Sequence, residues 1–319
     1  MKKINIACIS AGKHAIKNII PSLVSSDYFN LVKIHARNLT DLEVFNKNLT
    51  DNEESIYFDK SIEAVYISSP NALHSNQIRK CLENGKHVIV EKTAITCFHE
   101  SEKLFNLAKA KRLVIFEAFM YKYHAQYKFI KEVIASRKYG DLLFLEAAFG
   151  FPELEADNIR YQKKLDGGAL FDAGAYSISC AQSLVPNLEL ASSKLFFSEN
   201  HAVDTRGYAS FVNKNASAFC YWYIGGSYQN FLKLTFENGI LLTDRVFSKP
   251  IEYETTITLS KNGNIIEEFN FEPDNHFQNM FNYFYTKVIK NDLTSNFEAL
   301  DQHKIIKKIY ESESNLHWK

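Results

Sequence analysis

The chain has 319 residues, with 37 basic and 37 acidic side chains and no formal net charge at pH 7. A neutral chain has no global field that would attract nucleic acid or an anionic membrane, so a small molecule is the expected partner. The five cysteines are scattered and form no C-x-x-C pair, which predicts neither a disulfide framework nor a zinc site. The first apolar run ends too soon for a secretory segment or a membrane span, and we expect a cytoplasmic protein.

Short apolar runs alternate with helical stretches through the first part of the chain. This alternation is typical of βαβ units around a buried parallel sheet, and it predicts an α/β domain over residues 1–121. The predicted strands are INIACI (4–9), LVKIHA (31–36), AVYISS (64–69), HVIVEK (87–92) and LVIFEA (113–118). Helical periodicity occurs between them, at 75–84 and 98–110.

The pattern changes in the second part, which we assign to an α+β domain over residues 122–319. A helical stretch at 123–137 precedes a segment rich in strand-like runs, from Gly140 to Phe271. Turn residues such as Asn238-Gly239 separate these runs, which predicts a large, mostly antiparallel open sheet. Helical periodicity returns at about 275–290 and 300–315.

The loop after the first predicted strand contains a degenerate form of the G-x-G-x-x-G/A phosphate-binding pattern. Ser10 stands at the first glycine position, Gly12 at the second and Ala15 at the third. In that pattern the second glycine lets a pyrophosphate approach the backbone, and the third position allows close packing of the helix. The free N–H groups of the helix start would face the phosphate, as in a Rossmann domain. A structural turn without a ligand explains these residues equally well.

Arg37 follows the second predicted strand, about 20 residues beyond the loop, where contact with the adenosine ribose is expected. An acidic residue there selects the free 2′-hydroxyl of NAD(H), whereas a guanidinium pairs with the 2′-phosphate of NADP(H). Arg37 therefore favours NADP(H) over NAD(H). An ordinary exposed arginine at a strand end is the alternative.

Two predicted strands run into polar residues at the carboxyl edge of the parallel sheet, where open α/β folds bind their ligands. These polar residues belong to the first two of four motifs that follow one another along the chain. The motifs are S-P-N-A-L-H (69–74), G-K-H-V with E-K (85–92), E-A-F-M-Y (117–121) and G-G-A-L-F-D-A-G-A-Y (167–176). In this order they resemble the successive motifs of the Gfo/Idh/MocA oxidoreductases over nearly the whole chain.

The resemblance implies a catalytic set in which a lysine lies by the nicotinamide and an aspartate is followed by a histidine or tyrosine. Carried onto this chain, the set is Lys92, Asp172 and Tyr176. Reduction of a ketone needs a proton donor and positive charge near the developing alkoxide, which a phenol and an ammonium supply. Tyr176 is then the acid, assisted by Lys92, and Asp172 orients the lysine or the substrate hydroxyls. Spacing alone also fits a solvated lysine at a strand end and two residues sharing a helix face.

The loop, the strand ends and the resemblance together predict the binding residues, with no metal among the ligands. The predicted cofactor-binding residues are Ser10, Gly12, Lys13, His14, Ala15, Arg37, Ser69, Pro70, Asn71, His74, Glu91 and Lys92. The predicted substrate-binding residues are Tyr121, Arg160, Tyr161, Asp172 and Tyr176. Arg160 and Tyr161 lie in a basic, aromatic loop with Lys163 and Lys164, which suits a phosphate-bearing ligand; a solvated loop is the simpler interpretation. Gly167-Gly168 either allows close backbone approach to a substrate or makes a simple turn.

Two positions depart from the family pattern. Ser10 replaces the first glycine of the loop, at a cost that depends on its backbone angles. Thr93 stands where the family has a proline associated with a cis peptide bond near the nicotinamide. The Lys92–Thr93 bond is therefore either cis or trans with an altered lysine position.

Within the family, the E-A-F-M-Y run and Tyr176 are similar to dihydrodiol or xylose dehydrogenases and to ketoreductases of nucleotide-linked deoxysugars. We therefore expect an NADP(H)-dependent ketoreductase of a keto sugar, in particular a nucleotide-activated one whose diphosphate meets the basic loop. An aldose or trans-dihydrodiol dehydrogenase working in the oxidative direction is the runner-up. A non-catalytic NADP-binding regulatory protein is the third interpretation.

Aromatic residues around Tyr221 and Trp222 indicate an association surface on the second-domain sheet. Together with the family resemblance, they predict a homodimer or homotetramer that forms through this sheet. A strand buried on both faces would show the same apolar run.

Overall fold

The computed structural model describes residues 2–38, 40–45 and 48–314. The chain divides into two compact units, Met1–Phe119 with Phe277–His303, and Met120–His276 with Lys304–Lys319. The first unit thus includes a C-terminal segment that the sequence-based division places in the second domain. The domain limits at 1–121 and 122–319 stay a prediction, because compactness does not show independent folding.

The first unit contains a parallel sheet of six strands. The strands are β1 (Ile4–Ile9), β2 (Phe29–His35), β3 (Asn48–Thr50), β4 (Ala64–Ile67), β5 (His87–Val90) and β6 (Ile115–Glu117). Their order in the sheet is β3-β2-β1-β4-β5-β6, and every neighbouring pair is parallel. This is the strand order of a doubly wound dinucleotide-binding fold, so the predicted Rossmann domain is confirmed.

Helices connect these strands and cover the sheet. They are α1 (Ile20–Val24), α2 (Glu54–Tyr57), α3 (Asn71–Glu83), α4 (Phe98–Lys111) and α7 (His276–Lys290), and the first part of α8 (Thr294–Ser314) also belongs to this unit. Because helices cover the sheet, its central strands are largely apolar. All four residues of β4 are buried, and Ile67 and Val90 share one core cluster with Ile78 and Leu104.

The second unit contains an open sheet of eight strands. They are β7 (Leu142–Phe151), β8 (Glu189–Phe197), β9 (Asp204–Val212), β10 (Ser217–Ile224), β11 (Gln229–Phe236), β12 (Gly239–Asp244), β13 (Thr255–Lys261) and β14 (Asn264–Phe271). The order is β14-β13-β12-β11-β7-β10-β9-β8, and only β7 and β10 pair in parallel among these described strands. The predicted mostly antiparallel sheet is confirmed.

The strand-rich segment predicted from Gly140 to Phe271 also contains a helix. Leu170–Gly174 forms a wide helical turn that continues into α6 (Ala175–Leu184), and α5 (Ala125–Ser136) precedes the sheet. Three strands were not predicted, the three-residue β3 in the first unit and β12 and β14 in the second, and the eight residues of β14 are mostly exposed. An exposed edge strand carries little of the apolar alternation from which strands are recognised.

The strand β10 has one buried and one partly exposed face. Cys220 and Trp222 are buried, whereas the side chain of Phe219 on the opposite face is 42% exposed. Within one chain, therefore, β10 is not a strand buried on both faces.

Candidate active site

The loop after β1 is attached to the end of β2 by His35. The Ser10 N–H donates to His35 Nδ1 at 3.1 Å, and the Ala11 N–H donates to the His35 carbonyl at 2.9 Å. Burial lowers the pKa of His35, which keeps the ring neutral and able to accept at Nδ1. His35 was not predicted as a site residue, because a histidine that ends a strand carries no local signal of this role.

The predicted phosphate-binding residues divide into buried and open positions. Ala15 is fully buried, as the close-packing position of the pattern requires. A β-carbon placed on Gly12 would meet no atom within 4 Å, so packing within the protein does not demand glycine there. Lys13 and Arg37 are exposed, and Arg37 lies two residues after the end of β2.

Glu91, which follows β5, is the centre of a small polar cluster. It accepts a hydrogen bond from the Tyr66 hydroxyl, and its Oε1 lies 3.3 Å from His14 Nε2. Burial opposes ionisation of Glu91, but His14, Tyr66 and Lys92 outweigh it and lower its pKa. Glu91 is therefore ionised at neutral pH, next to Lys92 in the chain.

The backbone beyond Lys92 is held from two sides. The Lys92–Thr93 peptide bond is cis. His74 is fully buried; its Nδ1 lies 3.0 Å from the Thr93 carbonyl oxygen and its Nε2 lies 2.9 Å from the Ser69 carbonyl oxygen. The next amide, of Ala94, donates to Glu117 Oε1 at 2.8 Å. His74 thus links the loops after β4 and β5, and any effect it has on a cofactor passes through those loops.

The other residues of the S-P-N-A-L-H motif begin a helix. Pro70 precedes α3, and Asn71 is its first residue. The Ser69 hydroxyl donates to Gln77 Oε1 at 2.6 Å, so this side chain bonds within the protein. The motif places its backbone at the carboxyl edge of the parallel sheet, as predicted.

In the second unit, Asp172 and Tyr176 lie on the continuous segment of Leu170–Gly174 and α6. Arg160 Nε donates to Asp172 Oδ2 at 2.5 Å. The charge of Asp172 raises the pKa of Arg160 more than burial lowers it. The structure thus joins two residues that the sequence analysis assigned separately.

Tyr176 is almost completely buried among aromatic rings. Its ring centroid lies 5.4 Å from Phe149, 5.9 Å from Tyr121 and 5.9 Å from Phe247, and its hydroxyl is 3.6 Å from Met120 Sδ. Phe149 and Phe247 were not predicted, since nothing local distinguishes them from core phenylalanines. The surroundings of Tyr176 are apolar and suit a carbon-rich ring face of a substrate.

Two predicted substrate residues bond mainly within the protein. The Tyr161 ring stacks on His201 with centroids 3.9 Å apart, and its hydroxyl accepts from the Leu154 N–H at 3.2 Å. The Tyr121 hydroxyl donates to Ser179 Oγ at 3.2 Å. Both side chains are therefore fixed, and their role in substrate binding stays a prediction.

The described residues contain neither a metal-binding cluster nor a membrane-spanning helix. The ranges 2–38, 40–45 and 48–314 contain no group of three or more His, Cys, Asp or Glu side chains placed to hold a metal ion. No helix in the same ranges combines the length and the apolar character needed to cross a bilayer.

A doubly wound sheet with a phosphate-type loop and a lysine at its carboxyl edge defines a dinucleotide-binding oxidoreductase. The family comparison makes this more specific. Residues 4–119 match the model of an oxidoreductase family with an NAD-binding Rossmann fold, and residues 127–242 match the GFO/IDH/MocA C-terminal domain. The chain belongs to the Gfo/Idh/MocA oxidoreductase family.

Individual relatives extend the comparison. A dTDP-3,4-didehydro-2,6-dideoxy-alpha-D-glucose 3-reductase of Saccharopolyspora spinosa is 26% identical, over 84% of this chain and 82% of its own. An NADP(+) D-xylose 1-dehydrogenase of Haloferax volcanii is 30% identical over 48% of this chain and 47% of its own. A crystal structure of a 3-ketoreductase from Actinomadura kijaniata with NADP and TDP-benzene has a TM-score of 0.91 at 23% identity, covering 97% of this chain and 98% of that one. At that identity the structure shows a shared fold.

Proposed function

We propose that this protein reduces a keto group of a nucleotide-linked sugar, with NADPH as the hydride donor. The observation that carries the proposal is the pair Asp172 and Tyr176 on one helical segment, with Arg160 bound to Asp172 and aromatic rings around Tyr176. The dTDP-sugar 3-reductases, which match most of the chain, support this substrate class.

The first unit offers residues that fit the dinucleotide. Gly12 leaves open space at the start of a helix, where backbone N–H groups favour phosphate oxygens. Arg37 is an exposed cation after β2, where a guanidinium suits the 2′-phosphate of NADP(H) better than the hydroxyl of NAD(H). The NADP-bound neighbour of the same fold supports this choice.

The protein's own residues then hold and move a proton at the ketone. NADPH supplies the hydride when it is bound. Tyr176 Oη donates a proton to the carbonyl oxygen, and Lys92 Nζ places positive charge beside that oxygen. Asp172, fixed by Arg160, orients the sugar hydroxyls. The aromatic rings around Tyr176 pack on the apolar face of the sugar and exclude water.

NADPH oxidation with a panel of keto sugars, free and dTDP-linked, tests this function. We expect turnover with a dTDP-linked keto sugar, and we expect Lys92→Ala to abolish turnover while NADPH still binds. Near-normal kcat in Lys92→Ala would disprove the mechanism. With NADP+ in place of NADPH, preferential formation of NADPH from xylose or a dihydrodiol would favour the dehydrogenase alternative, and NADPH binding without turnover in either direction would favour a regulatory protein.

The basic loop supplies a test of the nucleotide part of the substrate. Arg160 uses Nε for Asp172, and we assign its terminal nitrogens to a substrate phosphate. Arg160→Ala should lose turnover and weaken competition by TDP, without affecting NADPH binding. Lys214→Ala, at an exposed basic residue of the same unit outside this loop, is the matched control and should change neither. If both variants lost turnover and TDP competition to the same extent, the loss would reflect the removal of any positive charge and not a specific phosphate contact of Arg160.

We also propose that the protein is a cytoplasmic homodimer or homotetramer that associates through the second sheet. Its partly exposed face carries Phe144, Phe219 and Leu242, and Phe219 lies in ring contact with Tyr208 and Tyr221. An apolar face of this kind is typical of an association surface. Sedimentation should show a dimer or tetramer for the wild type and a monomer for Phe219→Lys. A monomeric wild type would reject the proposal.

A further inference from the structure

The helical segment that carries Asp172 and Tyr176 begins against a buried carboxylate. The first N–H groups of a helix have no partner within the helix, so a helix start inside a protein needs acceptors from elsewhere. Here the Leu170 N–H donates to Asp204 Oδ2 at 2.7 Å. Asp204 is the first residue of β9, is 3% exposed, and lies 34 positions beyond Leu170 in the chain.

Two consecutive glycines allow this arrangement. Gly168 has φ +119°, and a β-carbon there would lie 2.4 Å from Asp204 Oδ1. A β-carbon on Gly167 would lie 2.5 Å from the Arg160 carbonyl oxygen, and the Gly168 N–H donates to that oxygen at 2.8 Å. The glycine pair therefore lets both Asp204 and the backbone of the Arg160 loop reach the helix start.

The ionisation of Asp204 is balanced between opposing effects. Burial raises its pKa to about 7, although the backbone amides of Leu170 and Ala169 act in the opposite direction. A carboxylate that is buried at this cost needs an explanation, and its neighbours are the helix start and the Trp222 side chain.

We propose that Asp204 is a positioning residue for the reaction: it anchors the helix start and thereby sets where Asp172 and Tyr176 lie. It acts without touching the substrate. The inference rests on the proposed function for its activity readout, but the anchor itself is a property of the second unit and is measurable without substrate.

The experiment compares three Asp204 variants with a control in α5 that contacts α6. Asp204→Ala removes both acceptor oxygens, Asp204→Asn keeps one acceptor for the Leu170 N–H and replaces the other oxygen with an NH₂ donor, and Asp204→Ser provides one small acceptor. The control is Tyr127→Phe, which loses a 2.8 Å hydrogen bond to Ser183 Oγ near the other end of α6. The measurements are kcat, KM, the Kd for NADPH, and hydrogen exchange of residues 168–176.

We expect Asp204→Ala to lower kcat about 10- to 100-fold, as small displacements of catalytic groups do, and Asp204→Asn, which keeps one acceptor, to lower it less, both with unchanged NADPH binding. Asp204→Ser should recover part of kcat, and Tyr127→Phe should stay near wild type. Exchange at 168–176 should accelerate only in the Asp204 variants. The proposal is overturned if Asp204→Ala keeps kcat, if it loses NADPH binding in parallel with kcat, or if neither it nor Asp204→Asn folds. If the wild type reduces no keto sugar, the proposed function fails, and the exchange data alone then decide on the anchor.

Discussion

Ser10 occupies a left-handed backbone conformation, with φ +59°, at the position where the family pattern has glycine. A β-carbon is disfavoured in this region by about 1 to 2 kcal/mol relative to ordinary backbone, whereas glycine adopts it freely. The serine is tolerated because its N–H and the next amide are both bound to His35. The degenerate loop thus keeps the turn of the pattern.

Ser10→Gly should therefore raise the free energy of unfolding by about 1 kcal/mol, since the steric cost disappears while the greater freedom of unfolded glycine offsets a part. Urea unfolding measures the change. Ser10→Ala is the matched control, because it removes the hydroxyl and keeps the β-carbon. An equal gain in Ser10→Ala would assign the effect to the hydroxyl instead.

A substitution at Gly12 distinguishes a loop that binds a ligand from a loop that is only a structural turn. Because a β-carbon on Gly12 meets no atom within 4 Å, Gly12→Ala should leave the free energy of unfolding within about 0.5 kcal/mol of wild type. The same methyl group would stand where a pyrophosphate approaches, so NADPH should bind at least about tenfold more weakly. Fluorescence titration with NADPH measures the affinity. Unchanged affinity would favour the structural turn.

At the scale of elements, α8 completes the edge of the parallel sheet. β6 is the last strand, and its outer backbone groups bond to side chains of α8: Ile115 N–H donates to Asn296 Oδ1 at 2.9 Å, and Asn296 Nδ2 donates to the Leu113 carbonyl at 3.2 Å. Ser295 Oγ also donates to the Ile115 carbonyl at 3.1 Å. The amide of Asn296 offers one donor and one acceptor, as a neighbouring strand would. This explains why Phe277–His303 belongs to the first unit.

Asn296→Ala should lower the free energy of unfolding by about 2 to 4 kcal/mol, because a buried N–H and a buried carbonyl lose their partners. Asn296→Asp keeps the acceptor for Ile115 and sets a carboxylate against the Leu113 carbonyl, so it should not restore stability. Ser295→Ala, which removes a single bond, should cost less than Asn296→Ala. Denaturant unfolding of the three variants gives the order of their losses in free energy of unfolding and so tests the contact between α8 and β6. Equal losses in Asn296→Ala and Ser295→Ala would contradict it.

For the whole molecule, buried histidines determine the response to acid. Burial is the first cause of a lowered pKa in His35 and His74, and it lowers the pKa of His87 to about 4 and that of His124 to about 3. A folded pKa below the unfolded value means that the unfolded chain binds more protons, so stability falls as pH drops below about 6.5. The pKa of Asp204, raised to about 7, has the opposite effect, because the folded chain then binds the extra proton and gains stability as pH drops. This single carboxyl group opposes four histidines.

We therefore expect the free energy of unfolding to decrease steadily from pH 6.5 to 4.5, by about 1.4 kcal/mol per pH unit for each net proton taken up on unfolding. Urea unfolding at several pH values gives the slope. His124→Asn keeps an acceptor for the Gln126 N–H that His124 Nδ1 now binds at 3.1 Å, and it removes one titrating ring. The slope of the free energy of unfolding against pH should be smaller in His124→Asn, by the amount that corresponds to about one proton taken up on unfolding. Constant stability over this range would contradict the prediction.

Much of the fold followed from local patterns in the sequence. The apolar runs of β1, β4 and β5 predicted a buried parallel sheet because strands covered on both faces must be apolar along their whole length. The ordered motifs then identified the family and placed Lys92 at the carboxyl edge of that sheet. Both inferences need only neighbouring residues and the fixed geometry of strands and helices.

Tertiary structure alone decided which side chains meet. His35 reaches the loop of Ser10 across 25 positions, Asp204 reaches Leu170 across 34, and Asn296 reaches Ile115 across 181. Periodicity reports how a residue is buried, but not which distant backbone group it will bond. These partners, and the pKa shifts that burial imposes on His35 and Asp204, exist only once the chain has folded, because both depend on atoms that are remote in sequence.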